Sequence, residues 1–167
     1  KKQKNSNLVN KFKRTFNYFI KNEYRDVILD KIFLKLFENN EEKILKNYYL
    51  NEKQIKTLVS SGMVIGAHSV SHPLLSKLNK KEFTKEIDNS FKFINLFYKQ
   101  KTFSYPYGGF HSFNSSIEEY LNLSKVTFSM NTESRNITKK DLLTRPQALP
   151  RYNCNEFKFG QIDDKEV

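Results

Sequence analysis

Cysteine and tryptophan are nearly absent from this 167-residue chain, which contains one Cys and no Trp. Because Cys154 has no second cysteine to pair with, an intrachain disulfide is excluded and the redox compartment stays open. Long apolar runs and a signal-peptide pattern are missing too, so we expect no membrane-spanning segment. The chain begins with Lys1 rather than Met, so the question of a leader sequence upstream of Lys1 stays open. The cytoplasm is our first expectation for the compartment.

Arginine is scarce in a chain whose formal net charge is +11, since only five of the 29 basic residues are Arg. Sequence-specific nucleic-acid contacts favour Arg, whose planar guanidinium binds phosphates and guanine edges in a bidentate manner. The lysines are instead scattered along predicted helices beside Glu and Asp, as on solvated helix faces. We therefore expect no nucleic-acid partner. Nucleic-acid binding stays the weakest alternative, and clustering of the lysines on one face would favour it.

The spacing of apolar residues predicts alternating helices and strands in a single domain. Residues 8–37 have helical spacing with a break at Asn22 and Glu23. Short apolar or β-branched runs predict strands at 63–67, 102–104 and 126–130. This alternation favours a parallel α/β fold, with a helical N-terminal segment at 1–50 and an α/β domain at 51–167. Three capping-box pairs predict further helix starts, the second helix reaching about residue 98: Asn51–Gln54, Asn79–Glu82 and Ser115–Glu118.

Two of the chain's three histidines stand four residues apart, directly after one of the predicted strands. Residues 63–67 are small, apolar and partly β-branched, as in a buried strand, and His68 and His72 follow them. Ligands collect at the carboxyl ends of strands in α/β folds, and neutral imidazole is a good ligand for zinc and similar ions. The pattern favours a metal site, while an unliganded surface or core pair stays the alternative.

Three segments of the chain resemble motifs of the polysaccharide deacetylases, carbohydrate esterases related to chitin and peptidoglycan deacetylases. Residues 66–73 read Gly-Ala-His-Ser-Val-Ser-His-Pro and are similar to the family's metal motif, in which His-Ser/Thr and a second His precede Pro. Residues 103–108 read Phe-Ser-Tyr-Pro-Tyr-Gly and are similar to its Arg-x-Pro-Tyr-Gly loop. A weaker similarity to a late Pro-Arg segment lies at 149–153. Together these segments span residues 62–155, more than half of the chain.

This resemblance implies a fold, a reaction and a set of site residues. The fold would be α/β, an incomplete or distorted (β/α) barrel of the polysaccharide deacetylase type. The reaction would be metal-dependent hydrolysis of N-acetyl groups on a carbohydrate, with His68 and His72 as ligands of a divalent metal, zinc being expected. The backbone N–H of Tyr107 would stabilise the oxyanion. The residues expected to contact the substrate are Tyr105, Pro106, Gly108 and Arg151.

Some of these roles have alternatives that the sequence leaves open. Ordinary packing is an equally open interpretation of Tyr105 and Tyr107. Arg151 either pairs with a carboxylate near the site or caps a helix.

Several functional residues of the family have no counterpart in this chain. The family's first strand ends Thr-Phe-Asp-Asp-Gly and supplies the catalytic base and the third metal ligand, but no such strand precedes His68. The adjacent Asp163 and Asp164 lie in a polar tail and are interpreted as a solvated terminus. Ser104 replaces the Arg that would orient the base. The family's late Leu-x-His general acid is not found, and His111 is interpreted as a loop or rim residue.

Three explanations of the missing aspartates stay open. In the first, the sequence is a fragment whose first strand lies upstream of Lys1, which the non-Met start favours. In the second, it is a degenerate member that has lost catalysis. In the third, another carboxylate, Asp26, Asp30 or Glu23, takes the position of the missing aspartates in the folded chain. A catalytically inactive carbohydrate-binding or scaffold protein is therefore the main alternative to an enzyme. Without a third ligand, weak metal binding and little or no acetate release are expected.

Overall fold

The computed structural model describes residues 5–37 and 40–157 as a helix-rich α/β arrangement. No helix among these residues is both long and apolar enough to cross a membrane. A π-helical turn at Thr15–Phe19 follows the first helix, and 3-10 turns lie at Leu75–Lys77, Pro146–Ala148 and Cys154–Glu156. The helices and strands are α1 (Asn7–Arg14), α2 (Asn22–Phe37), α3 (Glu41–Tyr48), α4 (Glu52–Ser60), α5 (Lys80–Ile94), β1 (Thr102–Ser104), α6 (Ser115–Leu123), β2 (Phe128–Met130) and α7 (Lys139–Thr144).

Four extended segments form a small parallel array in which spatial order follows chain order. β1 pairs with β2 in parallel, Ala67 bridges to Phe103, and Leu149 bridges to Met130 on the other side. Parallel neighbours need a long crossover connection, and α5, α6 and α7 lie in the three connections. The α/β class is therefore confirmed in its coarse form. A closed barrel is not shown by this array, and the distorted barrel stays a prediction.

The core lies between this array and the helices that connect its segments. α5 buries one face through Phe83, Ile87 and Phe91, all at most 4% exposed. Phe91 packs on Phe103 of β1 with ring centroids 6.2 Å apart. Burial of such a side chain contributes about 1.5–3 kcal/mol, so these contacts hold the helix against the sheet.

Side-chain hydrogen bonds inside the core fix the last segment of the array. Gln147, which is 2% exposed, accepts from Ser129 Oγ at 2.6 Å and donates to Val126 O at 2.7 Å. The Tyr105 hydroxyl donates to Gln147 O at 2.6 Å. Buried polar groups are costly unless paired, so this network aligns the 146–149 segment with β2 specifically.

Most of the predicted helix boundaries are confirmed, and two are wrong. The break near Asn22 and the capping boxes of α4 and α5 are present. The start of α6 is wrong by one residue, because the Asn114 side chain accepts from Ile117 N at 3.2 Å and makes Asn114 the N-cap. α5 ends at Ile94 rather than near residue 98, since the following amides turn back onto carbonyls of its last turn.

The predicted buried strand at 63–67 is also wrong for most of its length. Only Ala67 pairs with β1, while Met63 and Val64 are 55% and 56% exposed. The Met63 N–H donates to Leu58 O at 3.0 Å, which ends α4 and removes that donor from any sheet. A left-handed Gly62, with φ of 83°, completes this helix end. The apolar run therefore starts as a helix terminus and becomes extended only at its last residue.

We predict that Gly66→Ala destabilises the fold by about 1–3 kcal/mol because the added methyl overpacks a buried contact. A Cβ on Gly66 would lie 2.7 Å from Thr102 Oγ1 and 3.2 Å from Thr102 O, and Thr102 is 4% exposed. Gly109→Ala is the matched control, since its Cβ would lie 2.7 Å from the exposed His111 ring, which has room to move. Urea unfolding of both variants checks this. Equal losses of unfolding free energy in the two variants would contradict a tight contact between Gly66 and Thr102.

Candidate functional site

The candidate site lies along the carboxyl edge of the parallel array. Because all four segments run in one direction, the residues that follow them share one edge. His68 follows the first segment, the 105–108 loop follows β1, and Arg151 lies two residues beyond Leu149 in the fourth. Thr132 N, after β2, donates to Gly108 O at 3.0 Å and ties two of these loops together.

His68 and His72 meet at this edge, beside the loop that follows β1. Their ring centroids are 4.8 Å apart, and the His72 ring is 4.8 Å from that of Tyr107. His68 Nδ1 lies 2.6 Å from Ser104 O, a distance that requires Nδ1–H to donate to the carbonyl. This assignment leaves Nε2 of His68 with a free lone pair, the usual arrangement of an imidazole ligand.

Glu86 on α5 holds the turn that separates the two histidines. Its carboxylate accepts from Val70 N, Ser71 N and Ser71 Oγ, each at 2.9 Å. Ser69 and His72 have positive φ of 63° and 54°, which costs free energy for residues other than glycine. Three hydrogen bonds to one charged group offset that cost. Glu86 therefore positions the backbone turn from which His72 projects.

The surroundings of His72 favour its neutral form. Partial burial, the neighbouring His68 and the Arg25 guanidinium all lower the pKa of His72 from its ordinary value of 6.5. A lowered pKa keeps the imidazole uncharged at neutral pH. The neutral ring is the form that binds metals.

A strained turn presents the backbone of Tyr107 to the same edge. Tyr107 and Gly108 both have positive φ, of 63° and 71°. A Cβ on Gly108 would clash with the Thr132 side chain, so this turn requires glycine. Within residues 5–37 and 40–157, the Tyr107 N–H donates to no backbone carbonyl. It is thus available to an external acceptor, as the predicted oxyanion role requires.

Two residues of the N-terminal helices reach this edge, and the sequence did not indicate them. Arg25 on α2 is 8% exposed and donates through Nη2 to Ser71 O at 2.7 Å. The Tyr18 ring lies 5.7 Å from the Tyr107 ring, and its hydroxyl is 3.4 Å from His111 Nε2. The one sequence signal for Arg25 is the choice of Arg in a chain that otherwise uses Lys, since Arg suits buried hydrogen bonding.

Two of the residues expected at the substrate are buried instead. Tyr105 is fully buried and stacks on Phe113 with ring centroids 3.9 Å apart. Burial raises the pKa of its hydroxyl. Pro106 is fully buried as well. The expectation that these two side chains contact a carbohydrate is therefore wrong, and they pack in the core instead. The reason is that β1 continues into the core at Tyr105, whose amide donates to Met130 O.

Arg151 lies at the carboxyl edge but makes neither of its two expected contacts. Its Nη1 donates to the Asn153 side chain at 3.1 Å, and no carboxylate of the described residues forms an ion pair with it. Its Nε is buried and has no hydrogen-bond partner among the groups described. A role for Arg151 at the substrate stays a prediction.

The carboxylates considered as a third ligand do not join the histidine pair. In the part of the chain that the structure describes, no group of three His, Cys, Asp or Glu side chains is arranged to hold a metal. Asp26 lies 3.4 Å from the Arg25 guanidinium and Glu23 lies 3.9 Å from Lys21. Asp30 lines a separate apolar groove. Asp163 and Asp164 are outside the described residues. His111 is exposed in its loop, as predicted.

Comparison with known families identifies the protein family to which this chain belongs. The family model described as polysaccharide deacetylase matches residues 31–128, more than half of the chain. The chain belongs to the polysaccharide deacetylase family. The match includes both histidines and the 103–108 loop, and it excludes Tyr18, Arg25 and Arg151. Searches of curated proteins and of solved structures gave no match.

Family membership supports the class of substrate and reaction. It implies a hydrolase of carbohydrate metabolism that acts on an acetylated carbohydrate. The division of this deacetylase-family chain at residues 50 and 51 stays a prediction.

We predict that Glu86→Ala destabilises the protein by about 1.5–3 kcal/mol because it removes an ionised acceptor of three hydrogen bonds. Glu119→Ala, which removes an exposed carboxylate on α6, is the matched control and is expected to change stability by less than about 0.5 kcal/mol. Urea unfolding measures both. Glu86→Gln, which keeps one acceptor oxygen, should fall between them. A Glu86→Ala variant as stable as the control would show that the turn does not depend on this carboxylate.

Proposed function

We propose that the chain binds N-acetylated carbohydrate at the edge formed by His68, His72 and Tyr107, and that its reaction is metal-dependent hydrolysis of the acetamide. One observation carries this proposal. The family match covers two motifs that are distant along the chain, and the structure brings them together: His68 and Ser104 are 36 residues apart, with His68 Nδ1 2.6 Å from Ser104 O. The distance between motifs in sequence makes chance juxtaposition a poor explanation.

The residues at this edge fit a divalent metal only in part. A catalytic zinc takes three protein ligands and keeps an open position, whereas the described residues supply two imidazoles. His68 Nδ1–H donates to Ser104 O, the kind of hydrogen bond that orients an imidazole ligand. The donor set suits zinc or a similar ion, but it is one ligand short. We therefore propose that this pair binds a divalent metal weakly.

The chain's own contribution to the reaction is the turn at Tyr107. An acetamide carbonyl that accepts from the Tyr107 N–H gains a donor that the turn already orients. Preorganised donors of this kind stabilise the charge that develops on oxygen during hydrolysis. The rigidity of the turn, fixed by Gly108 and the Thr132–Gly108 hydrogen bond, keeps that donor in place. Tyr18 and Tyr107 add aromatic surface on which a sugar ring can lie.

A second candidate function is carbohydrate binding without catalysis. The specific observation in its favour is that no third ligand completes the histidine pair among the described residues. General-base assistance is typically worth about 10²–10⁴-fold, and within the described part of the chain no Asp or Glu joins His68 and His72 in a metal-holding group. On this alternative the edge binds the saccharide and leaves the acetyl group intact.

We predict weak zinc binding that depends on both histidines of the pair. His68→Ala and His72→Ala should each abolish the calorimetric signal, since one imidazole alone does not retain the ion. His111→Ala is the matched control because it removes the third histidine of the chain, which is exposed in a neighbouring loop. This variant should bind zinc as the parent chain does. Tight, stoichiometric binding would show that a further ligand joins the pair.

We predict little acetate release from N-acetylated glucosamine polymers, about 10²–10⁴-fold below a base-assisted reaction. An acetate assay with added zinc, with chelator and with His68→Ala decides between the two functions. Slow release that chelator and His68→Ala both abolish supports the enzyme. Saccharide binding by calorimetry with no release supports the binding protein. Rapid chelator-sensitive turnover would contradict our expectation that the chain lacks a catalytic base. Asp26 and Asp30 would then be the first residues to replace.

A further inference from the structure

The N-terminal segment combines basic charge with exposed apolar side chains, and the candidate site uses neither. Between Lys1 and Asn22 the sequence has seven basic residues and no acidic one; the first carboxylate is Glu23. Four of the seven lie in residues 5–21: Lys11, Lys13, Arg14 and Lys21. Another stretch without a carboxylate, residues 53–81, is less basic, with five lysines in 29 residues. A block of like charge with no carboxylate beside it is suited to an anionic partner.

The structure leaves several large apolar side chains of residues 5–21 exposed, and Phe16, Tyr18 and Ile20 are half-buried. Neither α1 nor the π-helical turn at Thr15–Phe19 has a buried residue. Leu8, Phe12 and Phe19 are 79%, 47% and 70% exposed. Lys11, Lys13 and Arg14 lie between them. The sequence therefore interleaves large apolar groups with positive charge.

We propose that residues 5–21 bind the surface of a lipid bilayer that carries anionic headgroups. Phosphate contacts with a nucleic acid use the basic groups but give Leu8 no apolar environment. A bilayer interface accommodates both, since apolar side chains insert at the acyl boundary while Lys and Arg remain among the headgroups. Arg14 already lies 5.8 Å over the Phe19 ring, so charge and apolar surface are adjacent in the folded chain.

This surface goes beyond the proposed hydrolytic function and places the candidate site near a membrane. Tyr18, within the segment, contacts Tyr107 and His111 at the carboxyl edge. Lys77 also donates to Tyr18 O at 2.9 Å. A bilayer bound to residues 5–21 therefore lies on the side of the molecule from which Tyr18 reaches the site.

Cosedimentation of the full chain with phosphatidylcholine vesicles, with and without about 30% phosphatidylserine, tests the proposal. We expect binding to the anionic vesicles that weakens as salt is raised. Replacing Lys11, Lys13 and Arg14 by Gln should weaken it by roughly a hundredfold, at about fivefold per charge. Leu8→Ser with Phe19→Ser should weaken it by at least about tenfold.

The matched control is Leu143→Ser with Lys139→Gln and Lys140→Gln on α7, where an 84% exposed leucine also follows two lysines. This variant should bind as the parent does, and a cooperative urea-unfolding transition should show that all variants stay folded. The proposal would be overturned if the control variant lost binding equally, or if the chain bound uncharged vesicles equally well. It would also be overturned if vesicles did not bind and Leu8 and Phe19 instead supported a dimer or a DNA complex. The vesicle readout is independent of acetate release, so the two proposals fail separately.

Discussion

Two backbone hydrogen bonds tie Ala67 to β1, and the position of the candidate site follows from them. Ala67 N donates to Thr102 O and Ser104 N donates to Ala67 O, both at 2.9 Å. Because this pairing is parallel, His68 emerges at the same edge as the 105–108 loop. The same register places Ser104 O within hydrogen-bond distance of His68 Nδ1. A backbone pairing of one residue thus sets the orientation of an imidazole.

The second histidine depends on side chains from two helices. Glu86 on α5 fixes the Ser69–Ser71 turn through three hydrogen bonds, and Arg25 on α2 donates to Ser71 O. Opposite charges therefore hold the two sides of one short turn. This arrangement stabilises the turn in which His72 has its positive φ. The site is preorganised by charge on the protein itself, which is how binding sites reduce the cost of ordering.

Two kinds of feature could be predicted from the sequence: local helix caps, and the consequences of a parallel α/β fold. The capping boxes at Asn51 and Asn79 span three residues, and their geometry depends on little beyond those residues. The proximity of His68 and His72 to the 103–108 loop was predictable because carboxyl ends of parallel strands share an edge. The parallel α/β class followed from the alternation of helices and strands.

The errors arose at helix ends and from contacts between distant segments. The apolar run at 63–67 favours a strand, yet the Met63 amide donates to Leu58 O and ends α4. Tyr105 has the composition of a sugar-binding residue, and only the tertiary structure shows that Phe113 and Gln147 enclose it. Arg25 and Tyr18 reach the site from helices that no local pattern connects with it.

The sequence separations within the site also determine when it forms during folding. His68 and Ser104 are 36 residues apart, Arg25 and Ser71 are 46 apart, and Tyr18 and His111 are 93 apart. Closing such long loops is entropically costly, so we expect these contacts to form late in folding. A chain arrested before that step lacks the contacts that orient the two imidazoles, although its longest helices, α2 and α5, already contribute helical circular dichroism. Secondary-structure content is therefore a poor measure of whether this protein has reached its functional state.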